Sequence, residues 1–429
     1  MTAANQQQEH TTSYYAASAS EATRYPLLEG GKSVDVCVIG AGFTGISAAL
    51  TLAERGFSVA IVEANRVGWG ASGRNGGQII NGMSGLKKVR ARHPHVADEV
   101  FRDLKWRGND LIRERIEKYG IQCDLKNGFL EVAAKPKHVR YLEEYYEERA
   151  SRDFPYEYEL WDREETRDRL GTDAFHGGFV CYRDGHLHPL NLAIGEARAA
   201  HGLGAQIYEQ SPVVRIRHGM RPRVVTPSGH IDADNVLLAG NAYSRLEPKR
   251  LSNLVFPAGS YIIATEPLPD EVAQRINRKD VAVCDTNEIV DYYRLSADKR
   301  LLYGGACNYS GRDPASIKSY IRPRMLKVYP ELENVRIDFE WGGKIGIVMN
   351  RVVTAGRINN NVYYCQGFSG HGVCASHVMG EVMADAIAGT VEKFDLFADI
   401  KHFRVPGSQW VGNQLIALGM LYYKLKDKL

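Results

Sequence analysis

Residues 34–63, VDVCVIGAGFTGISAALTLAERGFSVAIVE, decide the fold. Val34–Ile39 is a short, β-branched apolar run bounded by Lys32 and Gly40, the pattern of a buried parallel strand. The turn Gly40-Ala-Gly-Phe-Thr-Gly45 follows at once, and then a helical period carried by Ile46, Ala49, Leu50 and Ala53 that stops at Gly56. Phe57–Glu63 reads as a second strand, so the whole is one βαβ unit opening a doubly wound domain.

Each glycine of the turn has a task. Gly40 permits the tight bend, Gly42 lets a diphosphate approach the backbone, and Gly45 lets helix and strand pack closely. The helix beginning near Phe43 and Thr44 offers free N–H groups to an anion. Glu63 ends the second strand, where a carboxylate accepts both ribose hydroxyls and disfavours a 2′-phosphate. Gly68-Trp-Gly-Ala-Ser-Gly73 fits the same pattern, but Asn65-Arg-Val precedes it instead of a strand.

The turn serves NAD and FAD alike, so other segments must choose. Gly68–Gly77, GWGASGRNGG, supplies small residues and backbone donors (Ala71, Ser72, Gly76, Gly77) where a chain would run along a flavin's diphosphate and ribityl group. Arg74 and Asn75 would add a cation and an amide near the flavin or the substrate mouth; a surface loop is the alternative. Gly367-Phe-Ser-Gly-His-Gly372 opens a helix at Val373, whose N–H groups would stabilise negative charge on a reduced flavin. The three segments together favour FAD.

The rest of the chain places these motifs. Asp98–Tyr119 and His138–Arg152 read as charged surface helices, followed by short strands near Ala205–Tyr208, Val213–Ile216, Val224–Thr226, His230–Ile231 and Asn235–Ala239, the last running into Gly240. Residues 256–310 read as an antiparallel sheet with a hairpin at Ser296-Ala-Asp-Lys299. The expected architecture is α/β: an FAD-binding, doubly wound Rossmann-like domain with an inserted antiparallel-sheet substrate domain. Its expected division is a tail over 1–30, a discontinuous FAD domain over 31–95, 153–250 and 340–400, a helical excursion over 96–152, a substrate domain over 251–339, and a C-terminal helix over 401–429.

A net charge of +3 gives no footprint for nucleic acid. The seven cysteines lack CxxC or Cys/His spacing, which reads as free thiols in a reducing cytoplasm and no metal site. No run reaches the length of a spanning helix; Trp410–Tyr423 would pack on the body, with docking on a membrane surface as the alternative.

GAGFTG, GWGASGRNGGQ and GFSGHGV, with SYYAASA, GHLHPLNLAIGEA and DYYRLSADKRLLYGG, resemble the D-amino-acid-oxidase-like flavoproteins, the glycine and sarcosine oxidase family, and within it a polyamine-oxidising branch. The resemblance runs from Ser13 to about Leu429. It implies FAD-dependent oxidation of a CH–NH bond in γ-glutamylputrescine or a related polyamine, to an imine and then an aldehyde, with O2 as acceptor. The alternative is a cyclic imino acid such as L-pipecolate, with electrons passed to a membrane quinone. It carries over Gly40, Gly42, Phe43, Thr44, Gly45 and Glu63 as contacts to the ADP half, Arg74–Gly77 as the flavin-side loop, Gly370, His371 and Gly372 as the isoalloxazine contact, and Val214 as a backbone grip on adenine.

Flavin amine oxidation leaves the hard step to the cofactor, so no acid–base triad is demanded. Tyr261, Tyr292, Tyr293 and Trp341 are candidate pocket walls, with a place in the core as the alternative for each. Arg351 is a candidate for a substrate carboxylate, and Lys344 for a cation near the flavin that activates oxygen. Asp291 and Glu340 are the carboxylates a dicationic substrate would need. His186 and His188, two apart before Pro189, read as structural. Cys307 and Cys365 are the conceivable sites of covalent attachment, although non-covalent FAD is the expectation.

Overall fold

A computed structural model describes residues 9–150, 156–310, 312–405, 411–414 and 417–418. The opening unit forms as expected: strand Gly30–Ile39, helix Phe43–Glu54 and strand Val59–Val62. Helix Phe43–Glu54 is buried over Phe43–Ala53, since the sheet covers one side of it and helix Val373–Ile387 another.

The first sheet runs in the order Thr354–Ile358, Val362–Gln366, Gly229–Leu238, Gly30–Ile39, Val59–Val62, Gln206–Tyr208. Its four inner pairings other than the Thr354–Ile358 edge are parallel. Gly229–Leu238 is one long strand where two short ones were expected, because it pairs with Gly30–Ile39 from Gly30↔Gly229 to Ile39↔Leu238. Asp232, Asp234 and Asn235 interrupt its apolar pattern in the half that is only partly covered, which hides the strand from periodicity. Arg223–Val225 and Arg215–Arg217 extend the sheet as an antiparallel flap.

The second sheet runs Ile337–Ile347, Phe256–Thr265, Leu301–Asn308, Asp291–Leu295, Ala282–Asp285, Lys126–Val132, Gly178–His186, Gln78–Ile79, with Tyr158–Trp161 also on Gly178–His186. It therefore recruits strands from outside 251–339. Lys126–Val132 lies inside the stretch read as a helical excursion, and Gln78–Ile79, Gly178–His186 and most of Ile337–Ile347 lie in stretches assigned to the FAD domain. Residues 98–119 and 136–150 do form helices, Asp98–Tyr119 and Pro136–Ala150. The hairpin Asp291–Leu295/Leu301–Asn308 forms around the expected turn.

The segment read as a tail is structured from Ser13 on. Ser13 caps helix Tyr14–Ala17 by accepting from the Ala16 N–H at 3.1 Å, and Tyr14, Tyr15 and Leu28 are buried. Of the C-terminal stretch Trp410–Tyr423, most lies outside the described residues; 411–414 and 417–418 are helical. No helix among the described residues is long and apolar enough to cross a membrane.

Candidate active site

Gly40 ends its strand in the left-handed region at φ 109°. A Cβ on Gly45 would lie 2.0 Å from the Gly40 carbonyl oxygen, so only glycine lets the helix approach this closely. Gly240 ends the neighbouring strand and backs Gly40: a Cβ on Gly40 would stand 3.3 Å from the Gly240 nitrogen. The helix begins on Gly42 without a side-chain cap, which leaves first-turn donors for an anion. The Phe43 N–H donates to Ser72 Oγ at 2.9 Å, tying the second glycine-rich segment to the first. Glu63 accepts from the Ala41 and Asn65 N–H groups at 2.8 and 2.9 Å. Burial pushes its carboxyl up, against the pull of those donors.

In the loop 68–77, the Arg74 guanidinium sits 4.2 Å over the Trp69 ring and donates to the Trp69 and Gly342 carbonyls at 2.7 and 3.3 Å. Burial lowers its pKa. Asn75 donates to Ala71 O at 3.1 Å and Ser72 O at 2.8 Å and accepts from the Gly77 N–H at 2.8 Å. Its amide therefore staples the loop and does not reach toward a substrate mouth.

At the third segment, Gly367, Ser369 and Gly370 all have positive φ, and helix Val373–Ile387 starts on Gly372, again without a side-chain cap. The two uncapped helices cross where a Cβ on Gly380 would lie 2.6 Å from Ser47 Cβ. Phe43 packs on His377 with ring centroids 4.7 Å apart. A buried ionic group locks this crossing. Glu196 Oε1 meets Arg115 Nη1 at 3.1 Å and Glu196 Oε2 meets His377 Nε2 at 3.0 Å, while Arg115 also donates to Ser47 and Thr51.

The second sheet closes the other side, and strand parity decides which of its residues face the loops. Trp341 Nε1 donates to Arg74 O at 3.0 Å, a Cβ on Gly343 would stand 3.4 Å from Arg74 Cβ, and Ile345 lies against Gly370. Ile262 pairs with Trp341 on this face, and Tyr292 packs against Gly76. Ser260, two residues before Ile262, reaches the Tyr292 hydroxyl at 3.3 Å. Tyr261, Tyr293 and Lys344 have the opposite parity, which corrects the expectation that the two tyrosines wall the pocket and takes Lys344, the candidate cation for oxygen activation, off the face that meets the loops. Tyr261 donates to Asp313 at 2.9 Å, Lys344 pairs with the same carboxylate at 2.7 Å, and Tyr293 accepts from Tyr329 at 2.9 Å beside Tyr303. The same parity removes Asp291, which pairs with Arg324 at 2.6 Å, and Glu340, which accepts from the Lys318 backbone.

Arg351 stands at the edge of this face with φ 63°, a left-handed conformation unusual for arginine. Its side chain bonds Tyr309, and its charge favours the ionised forms of Cys307 and Tyr309 and the neutral form of His371. Burial and then Arg351 lower the pKa of His371. His371 is nevertheless solvent-accessible. Burial pushes the Cys307 thiol up. Tyr309 and Ser260 were not foreseen. Tyr309 belongs to no motif; Ser260 follows from strand parity once the face of Trp341 is known.

The remaining candidates sit elsewhere. Val214 is exposed and its N–H is taken by Val225 O at 2.9 Å, so the proposed grip on adenine retains only the carbonyl. His186 and His188 are pushed down to about 3 by burial; His188 caps the helix Pro189–Gly202, accepting from the Asn191 N–H at 3.1 Å. Cys365 is fully buried in the core. No group of three or more His, Cys, Asp or Glu among the described residues is arranged to hold a metal.

The family model for FAD dependent oxidoreductases, named DAO, matches residues 35–386, spanning the turn, the loop and the uncapped C-terminal helix. The chain belongs to this FAD-dependent oxidoreductase family. It is 41% identical to the γ-glutamylputrescine oxidoreductase of Escherichia coli, over 98% of this chain and 99% of that one. The fold is that of glycine oxidase from Geobacillus kaustophilus (TM-score 0.71, 22% identity, covering 87% of this chain and 100% of that one). L-proline dehydrogenase from P. horikoshii shares it too (TM-score 0.70, 22% identity, covering 86% and 98%). FAD is thus the cofactor, and the glycine cradles and uncapped helix starts suit its diphosphate and flavin.

Proposed function

We propose that this FAD-dependent amine oxidoreductase oxidises γ-glutamylputrescine or a close relative that joins an amine to a carboxylate. In this reading Gly40, Gly42, Phe43, Thr44, Gly45 and Glu63 hold the ADP half, Ala71–Gly77 and Gly370–Val373 hold the flavin half, and the Ser260, Tyr292 and Trp341 face covers the recess. When bound, FAD would supply the two-electron acceptor for oxidation of the carbon beside the amine nitrogen. The chain's own contribution is to orient the neutral amine, exclude water and fix the far end of the substrate.

The observation that carries the substrate reading is Arg351. Its guanidinium bonds Tyr309 and its charge bears on Cys307 and His371, while the carboxylates suited to a free polyamine, Asp291 and Glu340, are engaged on the opposite face of the sheet. A dication therefore meets a positive recess, and a γ-glutamyl carboxylate meets a guanidinium. The resulting imine hydrolyses to an aldehyde. The raised pKa of Cys307 keeps it a thiol, which supports non-covalent FAD; acid precipitation then releases all the flavin, and flavin retained on the protein contradicts this. Molecular oxygen is the proposed acceptor, and a reduced protein that stays bleached in air contradicts that.

The test is Arg351→Ala. Loss of a charge-assisted contact of about 2–3 kcal/mol raises KM for γ-glutamylputrescine roughly 30- to 150-fold. Putrescine, lacking the carboxylate, loses nothing. An unchanged KM for γ-glutamylputrescine overturns the assignment.

A further inference from the structure

Arg294 is a buried cation that pairs with no carboxylate among the described residues. It is 2% exposed and spends its donors on neutral oxygens: Gly76 O at 2.8 Å, Leu295 O at 3.0 Å and the Tyr15 hydroxyl at 3.2 Å. Its guanidinium carbon lies 5.7 Å from the centre of the Tyr15 ring. A Cβ on Gly77 would come within 3.0 Å of the same guanidinium, so the flavin-side loop is seated directly on it. A buried charge without a counterion is costly, and neutral acceptors are what make it tolerable here.

Tyr15 touches the loop by a second route. Its ring meets Trp341 edge-on at 5.2 Å, and Trp341 Nε1 donates to Arg74 O at 3.0 Å. The same ring packs on His188 at 5.0 Å. Around it the N-terminal segment is stitched to both layers. Tyr14 donates to Asp298 of the hairpin turn at 2.8 Å, Ser18 bonds His188 at 3.2 Å, and the Ser20 N–H donates to Asn191 at 2.9 Å.

We propose that Tyr15 is a positioning residue for the flavin, holding Arg294 and Trp341 against the carbonyls of Gly76 and Arg74 so that the N-terminal segment completes the cofactor site. This rests on the reading that the loop 71–77 contacts the flavin, and on no reading of the substrate. Removing the Tyr15 hydroxyl leaves a buried arginine donor unmet, and the loop carrying Gly76 absorbs the change.

The test compares Tyr15→Phe with Tyr14→Phe, which severs the hydrogen bond to Asp298 and leaves the hydrogen bonds of Arg294 and Trp341 in place. FAD dissociation is measured by fluorescence during reconstitution of the apoprotein, together with the visible absorption band of the bound flavin. Tyr15→Phe weakens FAD binding roughly tenfold and shifts the band, while Tyr14→Phe stays within about twofold of wild type. Equal losses in both variants, or none in Tyr15→Phe, overturn the proposal. Should Tyr15→Phe not fold, Arg294→Lys, which keeps the charge but loses the fork, must show the same loss; unchanged FAD affinity in that variant overturns it equally. Failure of the loop assignment itself is read separately, since Gly76→Ala, whose Cβ would stand 2.7 Å from the Tyr292 ring, would then also leave FAD affinity unchanged.

Discussion

At the scale of single residues, much of the site is made of atoms that are missing. Gly45 is required by a 2.0 Å approach to the Gly40 oxygen, so Gly45→Ala must push helix from strand, an overpacking cost of about 3 kcal/mol. That variant is expected to purify without flavin. Gly202→Ala, which meets nothing within 4 Å, is expected to keep it. Flavin retained at wild-type stoichiometry in Gly45→Ala contradicts the account. These glycines were legible in the sequence because their spacing is the geometry itself. Arg351 was legible only as a type of side chain. Its bond to Tyr309 and its influence on Cys307 and His371 join chain segments that no local pattern links.

At the scale of elements, strand parity separates walls from core. Trp341 and Tyr292 face the loops while Tyr261, Tyr293 and Lys344 face helix Ile317–Val328 or Asp313. The sequence shows alternation along each strand but not which face meets the cofactor, since both faces of this sheet are covered. Lys126–Val132 was missed because both its partners, parallel Ala282–Asp285 and antiparallel Gly178–His186, are distant in sequence. That junction brings Glu131 beside Asp285. Burial pushes both carboxyls up to about 7, with the Asp285 charge adding to it at Glu131 and the Asp291 charge at Asp285. A raised folded-state pKa gives stability that is present below the unfolded pKa, about 4.3 for Glu, and lost as pH rises through 7. Glu131→Gln is therefore expected to raise Tm at pH 8.5 and leave it unchanged at pH 4. Thermal unfolding at the two values checks this, and an equal Tm at pH 8.5 contradicts it.

Across the whole molecule, Arg115, Glu196 and His377 join helices Phe43–Glu54, Asp98–Tyr119, Pro189–Gly202 and Val373–Ile387 under the cofactor cradle. Burial opposes the charge on Glu196, but His377 and Arg115 outweigh it and hold the carboxyl below the usual range. Its contribution is present above the unfolded pKa and lost as pH falls through the lowered folded value. Glu196→Ala leaves Arg115 and His377 buried without their partner and is expected to cost about 3–5 kcal/mol near pH 7, read by denaturant unfolding of the holoprotein. A loss below about 1 kcal/mol would show that the network is dispensable. The proposed reaction is oxidation of a carboxylate-bearing amine on FAD held between the two sheets. The direct measurement is anaerobic bleaching of the purified protein with γ-glutamylputrescine, putrescine, spermidine, L-pipecolate and D-amino acids at equal concentration. The account predicts that γ-glutamylputrescine bleaches the flavin fastest and that putrescine and spermidine lag far behind; faster bleaching by free polyamines, or none by any amine, would contradict it.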